Sequence, residues 1–273
     1  MLKRIGTVCA MLAIATLMIA VGCSKRKAEE DNKNDSGTKP RYASKGDEGT
    51  ITGKVSLDGA PPVAKKIDMS KDPNCSGGDA MMDDYMVDSG KLGNVFVYLK
   101  GGPVDRYAFS TPSDPVTLDQ QGCKYHPRVL GLQTNQPLKV VNSDKTTHNI
   151  HPSPKVNQEW NEMQAPGVAA VEKKFTRPET LIPVVCNQHP WMRASIGVLA
   201  HPYFAVSGKD GSYAIKNVPP GTYTLVFWHE KLGEKSQQVT VAAKESKTQD
   251  ITYSAGAAPG APSMHIGPTL VLP

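Results

Sequence analysis

The chain has 273 residues, with 31 Lys and Arg against 26 Asp and Glu, and a formal net charge of +5 at pH 7. So mild a charge, without a basic stripe interleaved with aromatic residues, argues against a nucleic-acid partner. The 24 Gly, 22 Pro and only 6% aromatic residues indicate many turns between short strands, and no long helix is expected.

Residues 1–22 have the pattern of a signal peptide. Two basic residues precede an apolar run from Val8 to Gly22, which is short for a membrane span of about 20 residues and is followed at once by charged residues. The sequence AVGC at residues 20–23 resembles a bacterial lipobox. This resemblance implies that Cys23 is acylated and becomes the mature N-terminus, and an uncleaved N-terminal anchor is the alternative.

Either anchor makes the folded part exported and attached to a membrane, in the periplasm or at the cell surface. Ser24 after the acylated Cys favours the outer membrane in a host with two membranes. Residues 23–48 mix both charges with Gly, Ser and Pro and contain little to bury, so they predict a disordered tether.

Three cysteines remain beyond the signal peptide and Cys23. In an oxidising compartment a structural pair is the default. Cys75 and Cys123 both lie in turn-rich surroundings without metal-ligand spacing, so we predict that they form a disulfide. Cys186 is then left as an unpaired thiol, for which a specific role is expected in an oxidising compartment.

From residue 49 onward, short runs of alternating apolar and polar residues are separated by Gly, Pro, Asn and Asp. This is an all-β pattern, and no segment with helical periodicity competes with it. The predicted strands include TITGKVSL, NVFVYLK, PLKVVNS, GSYAIKN and GTYTLVFW. The tail, residues 254–273, is low in complexity and is predicted to be flexible.

The motifs KDG at residues 209–211 and PPGTY at 219–223 resemble the carboxypeptidase regulatory-like, transthyretin-like β-sandwich. About five strands fit after residue 203, whereas such a sandwich needs about seven. The early runs ITGKVSLDGAPPV and NVFVYLK look like its first two strands. We therefore predict one sandwich from residues 49–102 and 201–253, with a domain at 103–200 inserted between them. Two consecutive domains with a boundary near His201 are the alternative.

The loop VVCNQHPWMRASIGV places Cys186, His189 and Met192 with two residues between each pair. Upstream, LKVVNSDKTTHNIHPSP places His148 just after a predicted strand. Two His, one Cys thiolate and a weak axial Met are the ligands of a blue copper electron-transfer centre. The sequence therefore predicts one type 1 copper site.

The same residues resemble the cupredoxin family, amicyanin in particular. His148-Asn149 matches the family's first ligand setting, and CNQHPWM at residues 186–192 matches its short ligand loop, over roughly residues 115–200. The resemblance implies a Greek-key sandwich in which His148, Cys186 and His189 bind in the trigonal plane and Met192 binds axially.

Residues around the ligands have predicted supporting roles. Asn149 is expected to hydrogen-bond the Cys186 loop and Asn142 to tie adjacent strands, although both have the alternative of being ordinary turn asparagines. The exposed edge of His189, with Pro190 and Trp191, is expected to offer an apolar docking patch to an unidentified redox partner.

Other functions use the same residues. Cys186 and Met192 could simply fill a core, or the ligands could serve copper sensing, storage or delivery. Zinc accepts Cys and His but has little use for a thioether. A Cys–His nucleophile leaves the Met unexplained, so no enzymatic activity is expected. A cell-envelope interaction protein without redox activity, acting through the C-terminal sandwich, is the remaining alternative.

Overall fold

A computed structural model describes residues 39–75 and 80–256. Within these residues the regular secondary structure is almost entirely strand, with one four-residue helix, so the predicted all-β class is confirmed. The elements are β1 Gly49–Asp58, β2 Val87–Asp88, β3 Lys91–Leu92, β4 Phe96–Lys100, α1 Pro103–Arg106, β5 Val116–Gln121, β6 Lys124–His126, β7 Val129–Gln133, β8 Leu138–Asn142, β9 His148–Pro152, β10 Glu162–Gln164, β11 Val171–Lys173, β12 Glu179–Val185, β13 Arg193–Leu199, β14 Phe204–Val206, β15 Ser212–Val218, β16 Gly221–His229, β17 Gly233–Val241, β18 Ser246–Thr248 and β19 Ile251–Ser254.

The predicted signal peptide, the lipidated Cys23 and the tether up to residue 38 lie outside the described residues. In the part of the chain that is described, no helix has the length and apolar character to cross a membrane.

One sandwich joins the first strands of the fold to the last. Its outer sheet has the order β15-β1-β3-β2, with β18 and β19 also paired to β1, and its inner sheet has the order β14-β4-β16-β17. Alternate residues of β1 are buried, as a strand with one covered face requires. Strands before residue 102 thus share both sheets with strands after residue 201.

A second sandwich contains the predicted ligands. Its two sheets have the orders β10-β9-β12-β13-β7 and β11-β8-β5-β6. Together the two sheets contain nine strands, β5–β13. Strands β6 and β10 are only three residues long, which is too short to show an alternating pattern.

Residues 65–75 and 80–82, named here the crossing segment, pack on the second sandwich. Ile67 and Met69 are each 7% exposed and belong to its core. The two arms of the segment are joined by Ile67 N–H to Ala80 O and Met82 N–H to Lys65 O, both 2.8 Å. The assignment of all of residues 49–102 to the first sandwich is therefore wrong for this segment, because two apolar side chains hold it on the other core.

The tether also becomes ordered earlier than predicted. The ring of Tyr42 lies edge-on to Tyr107 at 5.4 Å, and its hydroxyl donates to Glu48 Oε1 at 2.6 Å. Residues 39–48 are therefore packed rather than disordered, since an aromatic ring gains by burial. At the other end, Ser254 closes β19 instead of opening a flexible tail, and residues 257–273 lie outside the described residues.

A third apolar cluster lies between the two sandwiches. Side chains of β4, β14 and β16 meet those of β7, β12 and β13 there. This explains why four consecutive residues of β4 are buried, since both faces of that strand are covered. The cluster is formed by Phe96, Tyr98, Val129, Leu199 and Val226, with Leu181, Phe204, Val206 and Trp228 beside them.

Candidate metal centre

The loop between β12 and β13 carries three of the four predicted ligands. The loop closes through Cys186 N–H to Met192 O at 3.2 Å and Met192 N–H to His189 O at 2.9 Å. Cys186 is 1% exposed and is a free thiol, and Met192 is fully buried. The short hairpin therefore turns its sulfur atoms inward.

Strand β9 brings the fourth predicted ligand to this loop. It pairs antiparallel with β12, with His151 opposite Val185. Continuing this register by two residues places Asn149 opposite Asn187. His148, the first residue of β9, then lies next to the loop and is fully buried.

Three donor atoms converge at this point. Nδ1 of His148 lies 2.9 Å from Nδ1 of His189, and Sγ of Cys186 lies 3.6 Å from the latter nitrogen. One ligand atom from each of the three residues lies within 4.8 Å of the others, and all three residues are buried. The structure thus brings together the predicted trigonal set.

The far nitrogens of both imidazoles are bound by carboxylates. Nε2 of His148 lies 2.8 Å from Oδ2 of Asp144, and Nε2 of His189 lies 3.2 Å from Oδ2 of Asp72. A carboxylate accepts, so each Nε2 carries the proton. Burial lowers the pKa of His148, which favours the neutral imidazole that a metal requires.

The facing Nδ1 atoms of His148 and His189 fit a bound ion. With protons on both Nε2 atoms, the Nδ1 atoms face each other with lone pairs 2.9 Å apart, which is repulsive unless a cation or a proton lies between them. The separations match those that one ion bridges with bonds of about 2.0 Å to nitrogen and about 2.3 Å to sulfur. The donor set therefore fits a soft divalent or monovalent metal such as copper.

Both predicted supporting asparagines make specific contacts. Oδ1 of Asn149 accepts from the Asn187 N–H at 2.7 Å and from the Cys186 thiol at 3.4 Å. The amide of Asn142 donates to the carbonyls of Thr146 and Gln164, both at 2.9 Å. Asn149 therefore fixes the ligand loop, and Asn142 ties β8 to the turn before β9 and to β10.

The expected exposed edge of His189 is absent. Its side chain is only 5% exposed, because Asp72 and Cys75 of the crossing segment cover Nε2. Pro190 is exposed and Trp191 is partly buried, with its ring 5.2 Å from that of His189. Of the predicted docking patch, only Pro190 and Trp191 reach the surface.

Neither Asp72 nor Asp144 was predicted from the sequence. Asp144 precedes His148 by four residues in a turn, a spacing that could have indicated it. Asp72 reaches the site because Cys75 is bonded to Cys123, and Cys123 N–H donates to Asp144 at 2.8 Å. The disulfide lies against the site, although neither cysteine has ligand spacing in the sequence.

The C-terminal part of the chain matches a known family. Residues 187–254 match the family described as the carboxypeptidase regulatory-like domain. No curated protein matches the chain.

Solved structures that resemble the chain include cupredoxins. Amicyanin from Paracoccus versutus is 21% identical, with 33% of this chain and 85% of that chain covered and a TM-score of 0.28. A purple cupredoxin from Nitrosopumilus maritimus is 18% identical, with 30% and 97% covered and a TM-score of 0.26. The Cu-containing nitrite reductase from Thermus scotoductus SA-01 is 19% identical, with a TM-score of 0.29; 36% of this chain is covered, but only 27% of the reductase.

Proposed function

We propose that this chain is a membrane-tethered blue copper protein that carries single electrons between redox partners. The observation that carries the proposal is the convergence of Nδ1 of His148, Nδ1 of His189 and Sγ of Cys186 in a buried site, with both far nitrogens held by carboxylates. Copper, when bound, supplies one-electron redox chemistry.

The residues of the site favour that chemistry by being held in place. Asp144 fixes the ring of His148, and Asn149 fixes the loop of Cys186. None of the three donor residues is more than 4% exposed, so water is excluded. A rigid, dry ligand set changes little when the charge of its ion changes, which is what an electron carrier requires.

The choice between copper and zinc depends on Met192. Zinc prefers four nitrogen, sulfur or oxygen ligands and gains little from a thioether, whereas a weak axial Met is typical of blue copper sites. Met192 is fully buried at the end of the ligand loop. We therefore propose copper in a single type 1 site, for which Met192 would supply its thioether as a weak fourth ligand.

The burial of the site favours electron transfer over metal delivery and over catalysis. A resident ion suits a closed site better than an ion that is stored and handed to another protein. An enzymatic nucleophile must meet its substrate, and Cys186 is 1% exposed. We therefore propose neither metal delivery nor catalysis.

The redox partner is proposed to dock at Trp191. Its ring lies beside that of His189, and its Nε1–H donates to Cys123 O at 2.9 Å, which fixes the ring. Together with the exposed Pro190 it offers an apolar surface near the ligands. The first sandwich is proposed as a spacer or as the docking module for a cell-envelope partner.

Anchoring is proposed through a lipid on Cys23, with the outer membrane favoured. Cell fractionation tests this part separately, and recovery in the inner membrane would contradict the favoured location. Recovery of the protein without any lipid would contradict the anchor itself.

Titration of Cu(II) into the protein, followed by visible absorption and paramagnetic resonance, tests the copper site. We expect an intense blue thiolate-to-copper band with narrow hyperfine splitting, lost in Cys186→Ser and His148→Gln. His151→Gln is the matched control, since His151 lies on the same strand but its ring contacts Asn187 and Glu159 instead. Colourless binding, or tight zinc binding without a blue band, would overturn the proposal.

A further inference from the structure

Asp72 contacts His189 from a distant part of the chain. The two residues are 117 positions apart in the sequence, yet Oδ2 of Asp72 lies 3.2 Å from Nε2 of His189. The same oxygen accepts from the Thr146 hydroxyl at 2.7 Å. One carboxylate oxygen of Asp72 thus accepts from both His189 and Thr146.

The disulfide fixes the turn that presents Asp72. Cys75 N–H donates to Asp72 O at 2.9 Å, and Asn74 N–H donates to Asp72 Oδ1 at 2.9 Å. Three residues after Asp72, Cys75 is bonded to Cys123, and its Sγ lies 3.6 Å from Nε2 of His189. Aspartate and disulfide therefore form one short unit against the imidazole.

The two histidines differ in how their carboxylates are supplied. Asp144 belongs to the turn that leads directly into the strand of His148, and its carboxylate is also bound by Gly122 N–H and Cys123 N–H. Asp72 comes from the crossing segment, and the Cys75–Cys123 bond is the covalent link between that segment and the second sandwich. Only the support of His189 therefore depends on a distant segment.

We propose that Asp72 is a positioning residue for His189, and that the Cys75–Cys123 disulfide holds it there, so that retention of the metal depends on the oxidation state of this disulfide. This rests on the proposed copper site. A dithiol reductant would open the bond by thiol–disulfide exchange: the S–S bond breaks, Cys75 and Cys123 each gain a hydrogen, and the dithiol becomes a disulfide. Asp72 would then lose its covalent link to the second sandwich.

The first test needs no metal. Long-range proton–nitrogen NMR of the metal-free full chain reports which nitrogen of His189 carries the proton. We expect Nε2 of His189 to carry a proton in the wild type and in Asp72→Asn, whose amide oxygen still accepts. A mixture with the Nδ1–H form is expected in Asp72→Ala. An unchanged Nε2–H form in Asp72→Ala would overturn the positioning role.

The second test measures retention of Cu(II) by the full chain against an excess of chelator, with loss of the blue band as the readout. We expect Asp72→Ala to release copper about 10–100-fold faster, the usual effect of losing a group that orients a metal ligand. The double variant Cys75→Ala/Cys123→Ala, which mimics the opened bond without free thiols, is expected to show the same acceleration. Asp68→Ala is the matched control, since this exposed carboxylate of the same segment accepts from Ser70 N–H instead of from a predicted ligand.

The triple variant decides whether the disulfide acts through Asp72. Release no faster than in Asp72→Ala alone supports the coupling, whereas accelerations that multiply would show that the disulfide acts independently and would overturn it. Wild-type release rates in Asp72→Ala would overturn the positioning role even if the cysteine variant failed to fold. If the wild type formed no blue site, the proposed function would fail, while the NMR test of Asp72 would still stand.

Discussion

Arg128 and Glu230 join the two sandwiches through a hydrogen-bonded ion pair, with Nη2 of Arg128 2.7 Å from Oε2 of Glu230. The same guanidinium also binds Asp83 and Asp84, and its side chain is only 6% exposed. Arg128, which directly precedes β7, therefore holds two other parts of the chain: the residues just after the crossing segment and the turn between β16 and β17.

Replacing Arg128 with Met should destabilise the fold by about 2–3 kcal/mol. This is below the effect for a fully buried pair, because the three carboxylates retain some contact with water. Urea unfolding measures it. Lys100→Met, which removes an exposed pair with Glu234, is the control and should change stability by less than about 0.5 kcal/mol. Equal effects of the two substitutions would contradict a special role for Arg128.

Gly197→Ala should destabilise the contact between the sandwiches. A Cβ at this position on β13 would lie 2.7 Å from Cε1 of Phe96, closer than packed atoms approach. Overpacking of this kind costs about 1–3 kcal/mol. Thermal unfolding of Gly197→Ala alone and combined with Phe96→Leu checks the cause. The second substitution should recover part of the loss, and strictly additive losses would show that Phe96 is not the obstacle.

Asn149→Ala should loosen the ligand loop. It removes the acceptor for Asn187 N–H, which fixes the ligand loop, so copper affinity should fall about 10-fold or more and the blue band should shift. Competition with a chelator measures the affinity. Asn161→Ala is the control, because Asn161 only accepts from the other end of the Asn149 side chain. Equal losses in both variants would point to a general effect on β9.

Acid should destabilise the fold through two buried histidines outside the metal site. Burial lowers the pKa of His201 and of His229 to about 4, below the ordinary value of about 6.5. Nearby Arg128 and Lys231 lower the pKa of His229 further, Asp84 opposes them, and Asp105 opposes the shift at His201.

The change in folding stability with pH follows from the protons that each state binds. Below about pH 6.5 the unfolded chain binds a proton at each histidine that the folded chain refuses until about pH 4, so stability falls through this window. Each histidine should account for about 2 kcal/mol lost between pH 7 and pH 4.5. Denaturant unfolding at both pH values should show a smaller loss in His229→Gln than in the wild type. An identical loss would exclude His229 as a contributor.

Sequence patterns predicted the strands and the ligand loop, which depend on residues close together in the chain. The alternation in TITGKVSL and GTYTLVFW predicted β1 and β16, and the equal spacing of Cys186, His189 and Met192 predicted the ligand loop. The family match over residues 187–254 extends from this loop to β19. That the ligand loop and the sandwich strands occur in one continuous stretch was already visible in the sequence.

What the sequence could not predict depends on distant packing. Asp72 looks like an ordinary turn residue in KDPNC, and contacts with distant residues, the disulfide to Cys123 among them, place it against His189. The burial of His189 follows from the crossing segment, whose two apolar anchors, Ile67 and Met69, alternate with a single polar residue, too short a pattern to predict a strand. Contacts of this kind leave no short motif of regular spacing in the sequence.

The pairing of β1 also has a consequence for the order of folding. Three of its four partners, β15, β18 and β19, begin more than 150 residues later, whereas strands β5–β13 pair within residues 116–199. Because closing a long loop delays a contact, we expect the second sandwich to form first and β1 to wait for the end of the chain. Pulsed hydrogen exchange during refolding would show this as early protection in β12 and β13 and late protection in β1; simultaneous protection would contradict it. The metal ligands would then be assembled before the first sandwich closes.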